Sequence, residues 1–70
     1  MDMEPVDSTA IHSVGYDPAL KTLRVKFHSG ATYDYSGVPV ETHQAFMSAP
    51  SLGAHLARHV KGVHQHTRVE

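Results

Sequence analysis

Two alternating runs on either side of a Ser29-Gly30 turn constrain the fold more than anything else in the chain. Leu23, Val25 and Phe27 alternate with Arg24, Lys26 and His28, and Ala31, Tyr33 and Tyr35 alternate with Thr32, Asp34 and Ser36. Successive strand residues point to opposite faces, so this pattern predicts two strands that share one buried face. A two-residue Ser29-Gly30 turn would set Val25 opposite Asp34 and Lys26 opposite Tyr33, mixing the faces. A three-residue His28-Ser29-Gly30 loop, with Gly30 in a left-handed conformation, is the other common hairpin. It pairs Phe27 with Ala31, Val25 with Tyr33 and Leu23 with Tyr35. On the other face it pairs Arg24 with Asp34 and Lys26 with Thr32. One face is then wholly apolar and the other carries an ion pair, so this register is the expected one. Both tyrosine rings fall on the core face with their hydroxyls reaching the rim.

Ile11, Val14 and Tyr16 mark a preceding strand, and their uneven spacing beside Gly15 predicts a bulge or twist there. Asp17 to Thr22 is a turn in which Pro18 fixes φ. After the hairpin, Gly37-Val38-Pro39 breaks the sheet and Pro39 opens a helix through Met47. Val40, His43 and Met47 form one candidate inward stripe, and Ala45 with Phe46 the other. Ser48-Ala49-Pro50 stops that helix and Ser51 caps the next. In the second helix Leu52, Leu56 and Val60 fall on one face, and Gly62 sits where a helix C-terminal glycine belongs. From Val63 to Val69 the chain alternates weakly, and two readings stay open: a fourth strand closing the sheet, or a loose end. Residues 1–5 are expected to be a loose tail. The whole, residues 1–70, is expected to be one domain of α+β class: a small antiparallel three- to four-stranded β-meander with one or two short helices packed on one face. In that arrangement the Val40/Met47 and Leu52/Leu56/Val60 stripes cover Leu23, Val25, Phe27, Tyr33 and Tyr35.

These pieces, in this order, resemble the KTSC domain, a small free-standing domain of bacteria and phages that also occurs at the C-terminus of some lysyl-tRNA synthetases. The resemblance covers nearly the whole chain. It rests on Val6-Asp7-Ser8 followed by Ile11, on Val14-Gly15-Tyr16-Asp17, and on Leu23 to Phe27 with Gly30 and Tyr33-Asp34-Tyr35. Gly37-Val38-Pro39, Ser51-Leu52-Gly53 and Val60-Lys61-Gly62 complete it. The sequence departs where the family tends to carry aromatic residues, with His64 and His66 in their place. The resemblance implies no established activity. It implies RNA binding only by association with the synthetase fusion.

Size and composition narrow the function classes. Seventy residues bury a thin core, and small domains usually need disulfides, a metal or a partner subunit. With no cysteine, disulfides, thiolate zinc sites and thiol catalysis are excluded. Nothing is apolar enough to span a membrane, and the acidic Met1 to Glu4 start is no signal peptide, so the cytoplasm is the expected compartment. The net charge of −1 argues against strong nonspecific polyanion binding, but it is unevenly spread. Residues 1–20 hold Asp2, Glu4, Asp7 and Asp17 with no base. Residues 51–69 hold Arg58, Lys61 and Arg68 with no acid, together with His55, His59, His64 and His66.

Three functions follow as expectations. The first is a noncatalytic module that binds RNA or a nucleotide-like ligand through Arg58, Lys61, His64, His66 and Arg68, with Tyr33, Tyr35 and Lys26 as rim or stacking candidates. The second is a protein-interaction or self-associating module, as a thin core and exposed strand edges allow. The third is divalent metal binding by His55 and His59, at i and i+4 on a helix, with His64 and His66, at i and i+2 on a strand. Leu56 follows His55, so the metalloprotease His-Glu-x-x-His motif is absent, and residues 51–69 offer no carboxylate to orient the rings. No cofactor and no enzymatic activity are expected: no serine lies in a Gly-x-Ser-x-Gly turn and no acid pair suggests an acid/base couple.

Overall fold

The computed structural model describes residues 1–70. Its elements are β1 (Glu4–Pro5), β2 (Ile11–Asp17), β3 (Thr22–Phe27), β4 (Thr32–Tyr35), α1 (Val40–Met47), α2 (Leu52–His59) and β5 (His66–Arg68). The strands form one antiparallel sheet in chain order. Both helices lie in the connection between β4 and β5, which still pair as neighbours, so the helical excursion returns to the sheet edge it left. No helix is long and apolar enough to cross a membrane.

The central hairpin takes the face-segregating register. Leu23 pairs with Tyr35, Arg24 with Asp34, Val25 with Tyr33 and Lys26 with Thr32. Gly30, at φ 99°, makes the turn, and its N–H donates to the Phe27 carbonyl at 2.9 Å. On the polar face Arg24 grips Asp34 with two bonds, Nε to Oδ1 at 2.7 Å and Nη2 to Oδ2 at 2.9 Å. On the other face Leu23, Val25 and Tyr35 join Ile11 and Val14 from β2, Val38 from the link, Phe46 from α1, and Leu52, Leu56 and Val60 from the second helical segment. The Tyr16 hydroxyl donates to the Val38 carbonyl at 2.6 Å, tying β2 to the helix entry.

Three expectations are corrected. Residues 1–5 are not a loose tail: Glu4 pairs with Val14 and Pro5 with Ser13. Gly15 makes that edge possible, because a Cβ there would stand 2.7 Å from Met3 Sδ and 3.0 Å from the Asp2 carbonyl oxygen. The bulge falls between Ile11 and Ser13, at His12, and not beside Gly15. On α1 the inward residue is Phe46, at 0% exposure, while Val40 is 43% exposed. The larger ring fills the space between helix and sheet, turning Val40 outward. Of the two readings of the tail, the strand holds: it closes the sheet as β5, and with β1 the sheet has five strands.

The crowding at Gly15 yields a prediction. Gly15→Ala should strip amide-exchange protection from the β1–β2 pairing and cost about 1 kcal/mol, because backbone as well as flexible methionine must move. Gly53→Ala is the control. Its Cβ would meet only Ala10 Cβ, at 3.7 Å, so urea melts should show no loss.

Candidate functional site

Two eight-residue helices, each about 12 Å long, cannot roof a sheet whose longer strands run about 20 Å. Leu23, Val25 and Tyr35 are covered, while Phe27 and Tyr33, near the hairpin end of the same face, stay half-buried. The uncovered end is a cleft of about 310 Å³ lined by Phe27, Tyr33, Tyr35, Lys61, Gly62 and His66.

Its walls are aromatic. Tyr33 meets Phe27 edge to face, centroids 6.0 Å apart, and meets His66 in the same way at 5.5 Å. His66 also lies 5.8 Å from the Tyr35 ring. The pairing of Tyr35 with His66 and of Tyr33 with Arg68 places both β5 side chains on this face. Burial, and then the neighbouring Tyr33, push the Tyr35 hydroxyl above its ordinary pKa, so it is a neutral hydrogen-bond donor at physiological pH.

Its charge is cationic. Lys61 Nζ lies 5.3 Å above the Phe27 ring centroid, a cation–π distance. Val60, fully buried, ends α2, and Gly62 at φ 79° turns the chain back towards β5, so Lys61 is held at the cleft mouth. None of the six lining residues is an acid. The Glu70 charge acts instead on Arg24, on the opposite face of the sheet, and Arg68 Nε donates to the Glu70 backbone carbonyl at 2.9 Å. Three other depressions on the surface contain acids, one Asp7, one Asp2 and Glu4, and one Glu41, while a fourth, along α2, has Arg58 and no acid.

The sequence candidates therefore separate. Tyr33, Tyr35, Lys61 and His66 converge, and Arg68 borders them. His64 stands on the approach to β5, in an isolated bridge with Lys61. Arg58 does not join them; it lines a separate depression with Ala49, Pro50, His55 and His59. Lys26 pairs with Thr32 on the polar face and so is no part of the rim.

The four histidines are split as well. His55 and His59 lie side by side on α2, their rings tilted with centroids 4.5 Å apart, whereas His66 stands among the cleft tyrosines. No three His, Asp or Glu side chains come close enough to share an ion. His55 Nδ1 is buried without a partner, and burial followed by the His59 charge lowers its pKa. The helix and strand spacings are both present, but they belong to different parts of the molecule.

Phe27 and Gly62 are the site residues that sequence reasoning missed. The register already put Phe27 on the face of Tyr33. What it could not supply was how far the helices reach along that face.

The family model for the KTSC domain matches residues 7–64. A crystal structure of a KTSC domain protein from Yersinia pestis superposes with a TM-score of 0.95 at 39% identity, covering 99% of this chain and 97% of that one. An uncharacterized protein of Stutzerimonas stutzeri is 44% identical over 59 residues, 84% of this chain and 83% of that protein. A lysine–tRNA ligase of Nostoc punctiforme is 32% identical over 56 residues, which are 80% of this chain but 10% of the ligase.

Proposed function

This chain belongs to the KTSC domain family, and from that premise we propose that it is a noncatalytic module binding single-stranded RNA or a nucleotide-like ligand in the Phe27–Tyr33–Tyr35 cleft. The observation that carries the reading is the meeting of half-buried aromatic rings with the Lys61 ammonium in a recess lined by no acid. Bases stack on aromatic faces and phosphates seek cations, so single-stranded nucleic acid is the ligand chemistry that uses both. The similarity to a segment of a lysine–tRNA ligase agrees with this by association. The cationic surface is narrower than the C-terminal third as a whole: Lys61, His66 and Arg68 serve the cleft, and Arg58 does not.

An amide NMR titration with a mixed-sequence single-stranded RNA tests this. Shifts are expected at Phe27, Tyr33, Tyr35, Lys61 and His66. Two phosphate contacts would give a slope of about −1.4 in log affinity against log salt. Lys61→Glu with Arg68→Glu should weaken binding at least about tenfold. Absence of shifts around the cleft would sink the reading, and concentration-dependent shifts along β1 or β5 without RNA would favour self-association instead.

A further inference from the structure

We propose that Lys61 selects the ligand of this cleft, making it a site for a phosphorylated nucleotide and against the free nucleoside. The inference rests on the nucleotide reading above and adds to it the role of one side chain. Three observations support it. Lys61 Nζ covers the Phe27 ring at 5.3 Å, which is the face a planar base would use. The Lys61 charge is otherwise uncommitted, since the ion pair of this structure is Arg24 with Asp34 and no acid lines the cleft. The Lys61 backbone is fixed, its N–H bonded to the Leu56 carbonyl at 2.8 Å between buried Val60 and left-handed Gly62. Only the flexible stem can move.

A base entering over Phe27 therefore displaces the ammonium and forfeits a cation–π contact, an interaction that at an exposed site shifts an equilibrium by about two- to fivefold. A ligand that carries a phosphate offers the displaced ammonium a new partner, and a charge-assisted bond to phosphate is the stronger of the two. A nucleoside offers nothing in exchange. The same residue thus opposes uncharged aromatic ligands and favours phosphorylated ones. His66, which lines the same cleft beside Tyr33, can take part in holding the phosphate, and the Tyr35 hydroxyl stands ready as a neutral donor.

The test compares adenosine, 5′-AMP and hexa-adenylate on the full chain by NMR titration, with circular dichroism as the check on folding. The wild-type protein should bind 5′-AMP at least about tenfold more tightly than adenosine. Lys61→Ala uncovers Phe27 and removes the charge. It should strengthen adenosine binding by about two- to fivefold while weakening 5′-AMP by about tenfold, so the preference collapses. Lys61→Met covers the ring without a charge and should weaken both. Equal affinities of 5′-AMP and hexa-adenylate would identify a free nucleotide as the source of this chemistry, and much tighter hexa-adenylate would identify an RNA strand; either supports the selection by Lys61. An unchanged ratio of 5′-AMP to adenosine in Lys61→Ala would overturn the role of Lys61 and leave the nucleotide reading standing. No binding of any of the three probes by the wild-type protein would overturn both.

Discussion

Replacing Phe46 by Ala should unfold most of the protein. Phe46 is fully buried and is the one buried residue that α1 contributes to the core. Phe→Ala changes at such positions cost about 3–5 kcal/mol, through lost transfer free energy and the cavity left behind. A domain of this size has only about 4–10 kcal/mol in total. The core is thin, ten buried apolar residues in one cluster, so no second layer can collapse into the hole. Urea denaturation followed by circular dichroism should show the midpoint falling to near zero denaturant. Phe46→Leu, which keeps most of the volume, should remain folded. A Phe46→Ala protein with a near-native midpoint would mean that α1 is not integral to the fold.

Acid should destabilise the protein below about pH 6.5. Burial lowers the pKa of His43, with Glu4 opposing, and burial followed by the His59 charge lowers that of His55. His43 lies flat against Tyr16, ring centroids 4.3 Å apart, and His55 rests against Phe46. Both rings are therefore held in the neutral form in the folded state. The unfolded chain takes up a proton at the ordinary histidine pKa, near 6.5. At that point the unfolded state binds more protons than the folded one, so stability rises with pH there. The contribution is complete above the unfolded pKa and is lost as pH falls through the folded values. Each histidine adds a slope of at most ~1.4 kcal/mol per pH unit. Urea melts between pH 8 and pH 5 should show this loss, and a His43→Phe, His55→Leu variant should flatten it. A variant with the wild-type slope would place the titration in other groups.

Phe46 and His43, on which these predictions draw, both lie on a helix whose inward face the sequence left ambiguous. The periodicity of α1 admits two stripes, one through Val40, His43 and Met47 and one through Ala45 and Phe46. An eight-residue helix turns only about twice, so pattern alone cannot say which stripe faces inward. In α2 the spacing of Leu52, Leu56 and Val60 admits one answer, and the structure buries all three. The Ser51 hydroxyl also takes its place as cap, accepting from the Ala54 N–H at 3.4 Å.

The candidate site was partly legible in the same way. Tyr33 and Tyr35 were placed on the core face from the alternation, and the structure separates them further, Tyr35 at 2% exposure and Tyr33 half-buried beside Phe27. The charge asymmetry pointed to residues 51–69, of which Lys61 and His66 reach the cleft and Arg58 does not. Spacing in sequence put His55, His59, His64 and His66 within twelve positions, yet the left-handed turn at Gly62 leads the chain away from α2 and sends His66 to the sheet. Local rules describe side chains within one element. They do not describe which elements meet after the chain reverses.

By itself the sequence determined β2, β3 and β4, the hairpin register and the helix limits, because each follows from periodicity, turn chemistry and capping over a few neighbouring residues, and its ordered motifs carried the resemblance to the family. Tertiary structure alone decided that Phe46 and not Val40 enters the core, that Met1 to Pro5 lie against Gly15, and that Lys61 rests over Phe27. Those outcomes depend on volumes and distances between segments far apart in the chain, which close packing settles only once all the elements are in place.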